Sequence, residues 1–162
     1  MIREISKNDI PECVNVIRKS FLTVADEFGF TIENAPRFTA FATTEERLFY
    51  QLEYEHRLMV AYYEDGDGSI LGYYSLMLLE NSECELSNLC VLPEFRHKKI
   101  GEALLEDAVI RAKNSGCKKM KIGIVEENKV LRRWYKAHGF VHTHTEKYDF
   151  FPFTCGYMER EL

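Results

Sequence analysis

The period of the hydrophobic positions changes several times along the chain, and each change marks an element. Ile2 to Ile5 reads as a short strand. Asn8 or Asp9 then offers a helix cap with Pro11 in the first turn, and Val14, Ile17 and Phe21 follow at helical spacing. From Thr23 to Thr44 the period is lost, interrupted by Gly29, Asn34 and Pro36. It returns as a helix over Thr44 to His56, where Leu48, Leu52 and Glu55 recur. Two strands, Arg57 to Tyr63 and Ile70 to Leu79, are joined by the turn Glu64-Asp65-Gly66-Asp67-Gly68. That turn opens like a calcium loop, but its sixth position is Ile70 instead of glycine and its twelfth is Leu76 instead of glutamate, so a hairpin is expected.

A further strand runs from about Glu83 to Leu92 and stops at Pro93. After a basic loop, Leu104, Leu105, Ala108, Val109 and Ala112 form the apolar face of a helix that ends at Gly116. Lys119 to Val125 reads as a strand, Asn128 to His138 as a helix closed by Gly139, and the remainder alternates as two strands. The order β-α-α-β-β-β-α-β-α-β-β predicts an α/β (mixed α+β) fold: a central mixed, largely antiparallel twisted sheet of about seven strands, flanked by four helices. The 162 residues hold no internal repeat, low-complexity stretch or Pro/Gly/Ser linker, so one domain over residues 1–162 is expected.

Composition narrows the function. With 46% hydrophobic and 29% charged residues the chain has the make-up of an ordinary folded domain. Its longest apolar run, Ile70 to Leu79, is too short to cross a bilayer as a helix, and Arg3, Glu4, Lys7 and Asp9 interrupt the start of the chain. A cytoplasmic protein with no membrane partner is therefore expected, as a monomer or a homodimer. The five cysteines are odd in number, scattered and never in a CxxC pair, which predicts reduced thiols packed as small apolar residues. A net charge of −5 argues against extended nucleic-acid binding. His138, His142 and His144 have no Cys/Asp/Glu set nearby that completes a ligand pattern, so no metal is expected.

The stretch from Leu89 to Leu105 carries the main chemical signal. A strand that ends in a short loop of successive backbone N–H groups, followed by a helix N-terminus, makes an anion site. Arg96, His97, Lys98 and Lys99 add side-chain charge there, and Gly101 lets a bulky anion approach the backbone without a Cβ in the way. A diphosphate is the implied ligand. Neither a GxxxxGK[ST] loop nor a GxGxxG loop directly after a strand is present, so nucleotide-binding readings lose support.

The run from Asn88 to Leu105 resembles the acetyl-CoA motif of the GNAT superfamily of N-acetyltransferases. Its pattern Q/R-x-x-G-x-G/A is met at Arg96 and Gly101 and departed from at Lys99, which stands at the first glycine. The run from Asn128 to Phe140 is similar to the family's N-x-x-x-x-x-x-Y-x-x-x-G-F helix, and the order of elements is the family's too. The resemblance implies acetyl-CoA as cosubstrate and an unknown amine as acceptor. It implies a pantetheine arm along Leu89, Cys90 and Val91, and a diphosphate on the amides from about His97 through Lys98, Lys99, Ile100, Gly101 and Glu102 to Ala103. Asn128 would contact the cofactor arm while capping its helix, with Leu131 and Tyr135 on the same side.

Forming an amide from a thioester needs a neutral amine, and freeing a lysine-like amine at pH 7 costs roughly 4–5 kcal/mol. Glu83 and Glu85 lie two apart on one strand and project from the same face, so either can take the proton, with Glu85 slightly preferred. Tyr135 matches the family's general-acid tyrosine and would protonate the departing thiolate. Tyr148, Phe150, Phe151 and Phe153 can fill core or line an acceptor slot. A catalytically silent acyl-CoA sensor, or transfer of another acyl group, are the alternatives. A sensor would have no use for Tyr135 and a strand glutamate.

Overall fold

The computed structural model describes residues 1–162. Seven strands, β1 (Ile2–Glu4), β2 (Leu58–Tyr63), β3 (Ile70–Leu78), β4 (Glu83–Val91), β5 (Lys119–Val125), β6 (Val141–Glu146) and β7 (Cys155–Glu161), form one sheet in the order β1-β2-β3-β4-β5-β7-β6. All neighbours are antiparallel except β4 and β5. The helices are α1 (Ile10–Phe28), α2 (Thr39–Ala42), α3 (Glu45–Glu53), α4 (Ile100–Asn114) and α5 (Lys129–Ala137). There are thus five helices where the hydrophobic period predicts four, because the four-residue α2 is too short to show a period. Helix α1 also runs well past Phe21, to the left-handed C-cap at Gly29 (φ 74°). Only Ala25 is fully buried in that last stretch, which is why its period fades.

Both faces of the central strands are covered. Met59 and Ala61 of β2 pack with Ile10, Cys13, Ile17 and Leu48 under α1 and α3, while Val60 between them packs with Leu104, Leu105 and Ala108 of α4. Gly72 permits the close approach of α4: a Cβ there would stand 2.8 Å from Leu104 Cδ1 and 2.9 Å from the Cys90 carbonyl. A third, aromatic cluster of Phe30, Phe38 and Phe153 ties the segment after α1 to the start of β7.

One irregularity shapes the site. Between β3 and β4 the register passes from Ser75↔Ser87 to Tyr73↔Cys90, so β4 carries one extra residue there. Asn88 sits at this bulge in the left-handed region (φ 56°). The insertion turns the strand over. Cys84 and Leu86 belong to the α4-side core, yet Cys90 belongs to the α1-side core. Beyond the bulge β4 and β5 part company, since their pairing covers only Glu83–Glu85 with Lys119–Lys121. From there to Val125, β5 is held only by β7.

Candidate active site

The parting of β4 and β5 opens a cleft of about 330 Å³. Leu89 of β4, Ile124 of β5 and Asn128, Leu131 and Tyr135 of α5 line it at one end, and Phe38, Phe151 and Phe153 at the other. Phe153 is thus both core and wall, while Phe150 lies outside, half-exposed beneath the guanidinium of Arg37. Tyr148 bonds Glu146 and Tyr157 and is no part of the lining.

At the N-terminus of α4 the loop presents bare amides. The N–H groups of His97 to Glu102 find no acceptor within the chain, whereas Ala103 N–H donates to the Lys99 carbonyl (3.0 Å). The run of acceptor-free amides therefore ends at Glu102, because Ala103 already makes the first bond of the helix. A helix start always leaves four such donors free, here Lys99 to Glu102, and this loop adds two more, His97 and Lys98. His97 (φ 61°) and Lys99 (φ 65°) hold left-handed backbone. Lys99 thereby adopts the conformation a glycine would supply at that point of the motif, at a cost of roughly 1–2 kcal/mol. A Cβ at Gly101 would meet only ordinary contacts, Val91 Cγ2 at 3.6 Å and Trp134 Cζ2 at 3.8 Å.

The basic side chains divide. Lys98 and Lys99 are exposed, with Lys98 Nζ 5.2 Å from the Phe95 ring centroid. Arg96 turns inward instead: it donates to the Val91 carbonyl (3.2 Å), Thr23 Oγ1 (3.0 Å) and the Ser20 carbonyl (2.9 Å). Its guanidinium fastens α1 to the loop, so Arg96 adds no free side-chain charge to the anion site. Ile100 is buried in the core, and burial pushes the Cys90 thiol up to about 12, which leaves it a packed apolar group. Both can offer a cofactor only their backbone.

Tyr135 is almost wholly buried, and desolvation first, with Cys90 nearby, raises its phenol far above the ordinary range. It stays protonated at any physiological pH. Asn128 caps α5 by accepting from Leu131 N–H (3.2 Å), which leaves its amide NH₂ free toward the cleft.

The two glutamates share a side of β4 but not a surrounding. Glu83 is clamped to Lys121 Nζ at 2.8 Å, and that hydrogen bond holds its carboxyl below the usual range. Glu85 accepts from Ser87 Oγ (3.3 Å) and lines the cleft, whereas Glu83 does not. Glu85 also borders a second, polar cavity of about 230 Å³ between β4 and α3, together with Arg37, Arg47, Gln51 and Arg57. None of these four was marked by any motif. The sole local hint is that Arg47 and Gln51 stand four apart on one helix and so share a face. The histidines are engaged separately: His138 Nδ1 with the Trp134 carbonyl (2.7 Å), His142 with Glu126 (2.9 Å), and His144 stacked on Tyr157.

Comparison with known proteins places this geometry. The model of the acetyltransferase (GNAT) family matches residues 27–140. Spermidine N(1)-acetyltransferase of Thermoplasma acidophilum is 32% identical over 84 residues, 52% of each chain. A putative [ribosomal protein bS18]-alanine N-acetyltransferase of Bacillus subtilis is 23% identical over 99 residues, 59% of this chain and 62% of that one. The chain spans about half the length of the curated relatives it matches. Among solved structures, the PaiA N-acetyltransferase of Thermoplasma acidophilum in complex with coenzyme A has the same fold, with a TM-score of 0.85 at 22% identity over 100% of this chain and 98% of that one.

Proposed function

The chain belongs to the acetyltransferase (GNAT) family, and from that premise we propose that it transfers an acetyl group from acetyl-CoA directly to a primary amine. The observation that carries the reading is the run of six acceptor-free amides, His97 to Glu102, at the helix that flanks the parted strands. A diphosphate suits those donors and the positive end of the α4 dipole. A pantetheine arm suits the β4 edge that β5 has left unpaired, beside the free amide of Asn128. Relatives named for spermidine and for a ribosomal-protein alanine are consistent with an amine acceptor.

Within this reading Glu85 takes the proton of the acceptor's ammonium, directly or through a water, and Tyr135 returns a proton to the leaving sulfur. The nitrogen–carbonyl bond forms as the carbon–sulfur bond breaks, and the second proton that the nitrogen sheds on becoming an amide restores the Tyr135 phenol. The raised phenol keeps Tyr135 in its protonated form, so its hydroxyl is available as a donor to the leaving sulfur. Glu83 is assigned a supporting part, since its ion pair with Lys121 competes with any role as base. The retention of Tyr135 in the cleft favours turnover over a silent acyl-CoA sensor.

No helix is long and apolar enough to cross a membrane, and all five cysteines are free. Both agree with the reducing cytoplasm as the working compartment.

The test is release of free CoA from acetyl-CoA across a panel of amines, with calorimetry of CoA binding. Binding with amine-dependent release is expected. Folded protein that binds neither CoA nor acetyl-CoA at near-millimolar ligand and modest salt would overturn the reading.

A further inference from the structure

The polar cavity beside Glu85 has a charge of its own. Three guanidinium groups border it: Arg37 from the segment before α2, Arg47 from α3, and Arg57 just ahead of β2. Arg57 is partly satisfied, its Nε and Nη2 held by the Glu55 carboxylate at 3.3 and 3.2 Å. Arg37 lies over the Phe150 ring, 4.3 Å from its centroid, and neither Arg37 nor Arg47 has a carboxylate partner. Only Glu85 and Glu55 stand against the three, so this cavity is positive in a chain whose net charge is −5. Its floor holds Gln51, 6% exposed, whose Oε1 has no hydrogen-bond donor. A buried amide oxygen left bare costs stability, and Gln51 is among the residues that line this cavity.

We infer that the acceptor is a small primary amine that also carries a carboxylate, with the carboxylate on Arg47 and Arg57 and the amino group toward Glu85. Planar guanidinium forks match a carboxylate bidentately. The ammonium gives Glu85 a charged donor beside the single hydroxyl of Ser87 that it now accepts from. A polyamine would instead bring further positive charge against two unpaired guanidinium groups, a like-charge contact that works against binding. The inference rests on the transfer reading above, whose chemistry is unchanged: the amine loses its proton to Glu85, gains the acetyl carbon, and the sulfur collects a proton from Tyr135.

The experiment compares L-amino acids, their α-amides and spermidine as acceptors, by CoA release, in wild type and in Arg47→Met and Arg47→Lys. An α-amide keeps the amine but loses the negative charge, and it mimics the first residue of a peptide. Expected in wild type is a kcat/KM for the best amino acid about 10- to 100-fold above its own amide and above spermidine, the range typical of a charge-assisted contact. Arg47→Met should erase that preference, mainly through a raised KM for the acids so that acid and amide converge, and Arg47→Lys should restore part of it. Amides or spermidine equalling the acids in wild type, or an acid-to-amide ratio untouched by Arg47→Met, would overturn the inference. A second arm needs no turnover: calorimetry of N-acetyl amino acids and their amides on CoA-saturated protein. Acids binding at least about tenfold tighter, with the difference lost in Arg47→Met, supports the cavity's preference even if no amine is acetylated, which would defeat the transfer reading alone. Equal binding of acids and amides defeats the inference whatever the turnover.

Discussion

At the N-terminus of α4 and along the unpaired edge of β4 the groups offered to a ligand are main-chain amides, those of His97 to Glu102 among them. Around the polar cavity they are side chains, Glu85, Arg47, Gln51 and Arg57, carried by β4, α3 and the residue before β2. The two regions differ in what they demand of the sequence. Amides are present whatever the residue, so the first region needs only a backbone path, and even Lys99 serves where glycine would be easier. The second region needs particular side chains at positions far apart in the chain. A shared cofactor with a variable acceptor is what such a division permits.

Substitutions can break this contrast. The largest effect is expected where the regions meet. Tyr135→Phe should lower the turnover rate by roughly 10²–10⁴-fold with little change in CoA affinity, read from kcat against calorimetric Kd. Glu85→Gln should cost about 10²-fold at neutral pH, where a lysine-like amine is almost all protonated, and progressively less toward pH 10, where the amine frees itself. Glu83→Gln, which loosens Lys121, should show no such pH-dependent deficit. An equal deficit for the two variants would make the pair act together and dissolve the distinction drawn between them.

Smaller effects sharpen it. Arg96→Met removes three hydrogen bonds to Val91, Thr23 and Ser20, and should destabilise the fold by about 2–3 kcal/mol in denaturant titration, weakening CoA binding indirectly. Lys98→Gln should instead leave stability within about 0.5 kcal/mol and weaken CoA binding only at low salt, as expected of an exposed charge. Gln51→Met, by removing a bare buried oxygen, should stabilise the protein by about 1 kcal/mol while lowering turnover, the mark of a residue kept for function.

The same contrast explains what could be read from the residues alone. The α4 loop and the α5 helix lie in continuous runs, so their spacing carries the loop of acceptor-free amides and the Asn128–Tyr135 face together. The bulge at Asn88 escaped notice because a register shift is defined only against a partner strand, although asparagine tolerates the left-handed backbone it adopts there. Glu83 and Glu85 project from one side, as their spacing requires. Lys121, which tells them apart, comes from the neighbouring parallel strand and is invisible to any count along β4. The arginines of the polar cavity come from three separate places, and Arg96, basic and inside the motif, proved to be a fold-holding side chain. Charge in a sequence does not say which way it points.

The most direct test of the central claim is acetyl transfer itself: free CoA released from acetyl-CoA in the presence of a panel of primary amines, for wild type and Tyr135→Phe at saturating acetyl-CoA. The account expects release by wild type that is stoichiometric with acetylated amine, absent without amine, and reduced by roughly 10²-fold or more in the variant. Protein that binds CoA yet acetylates no amine in the panel, or a Tyr135→Phe variant that turns over as fast as wild type, would contradict it.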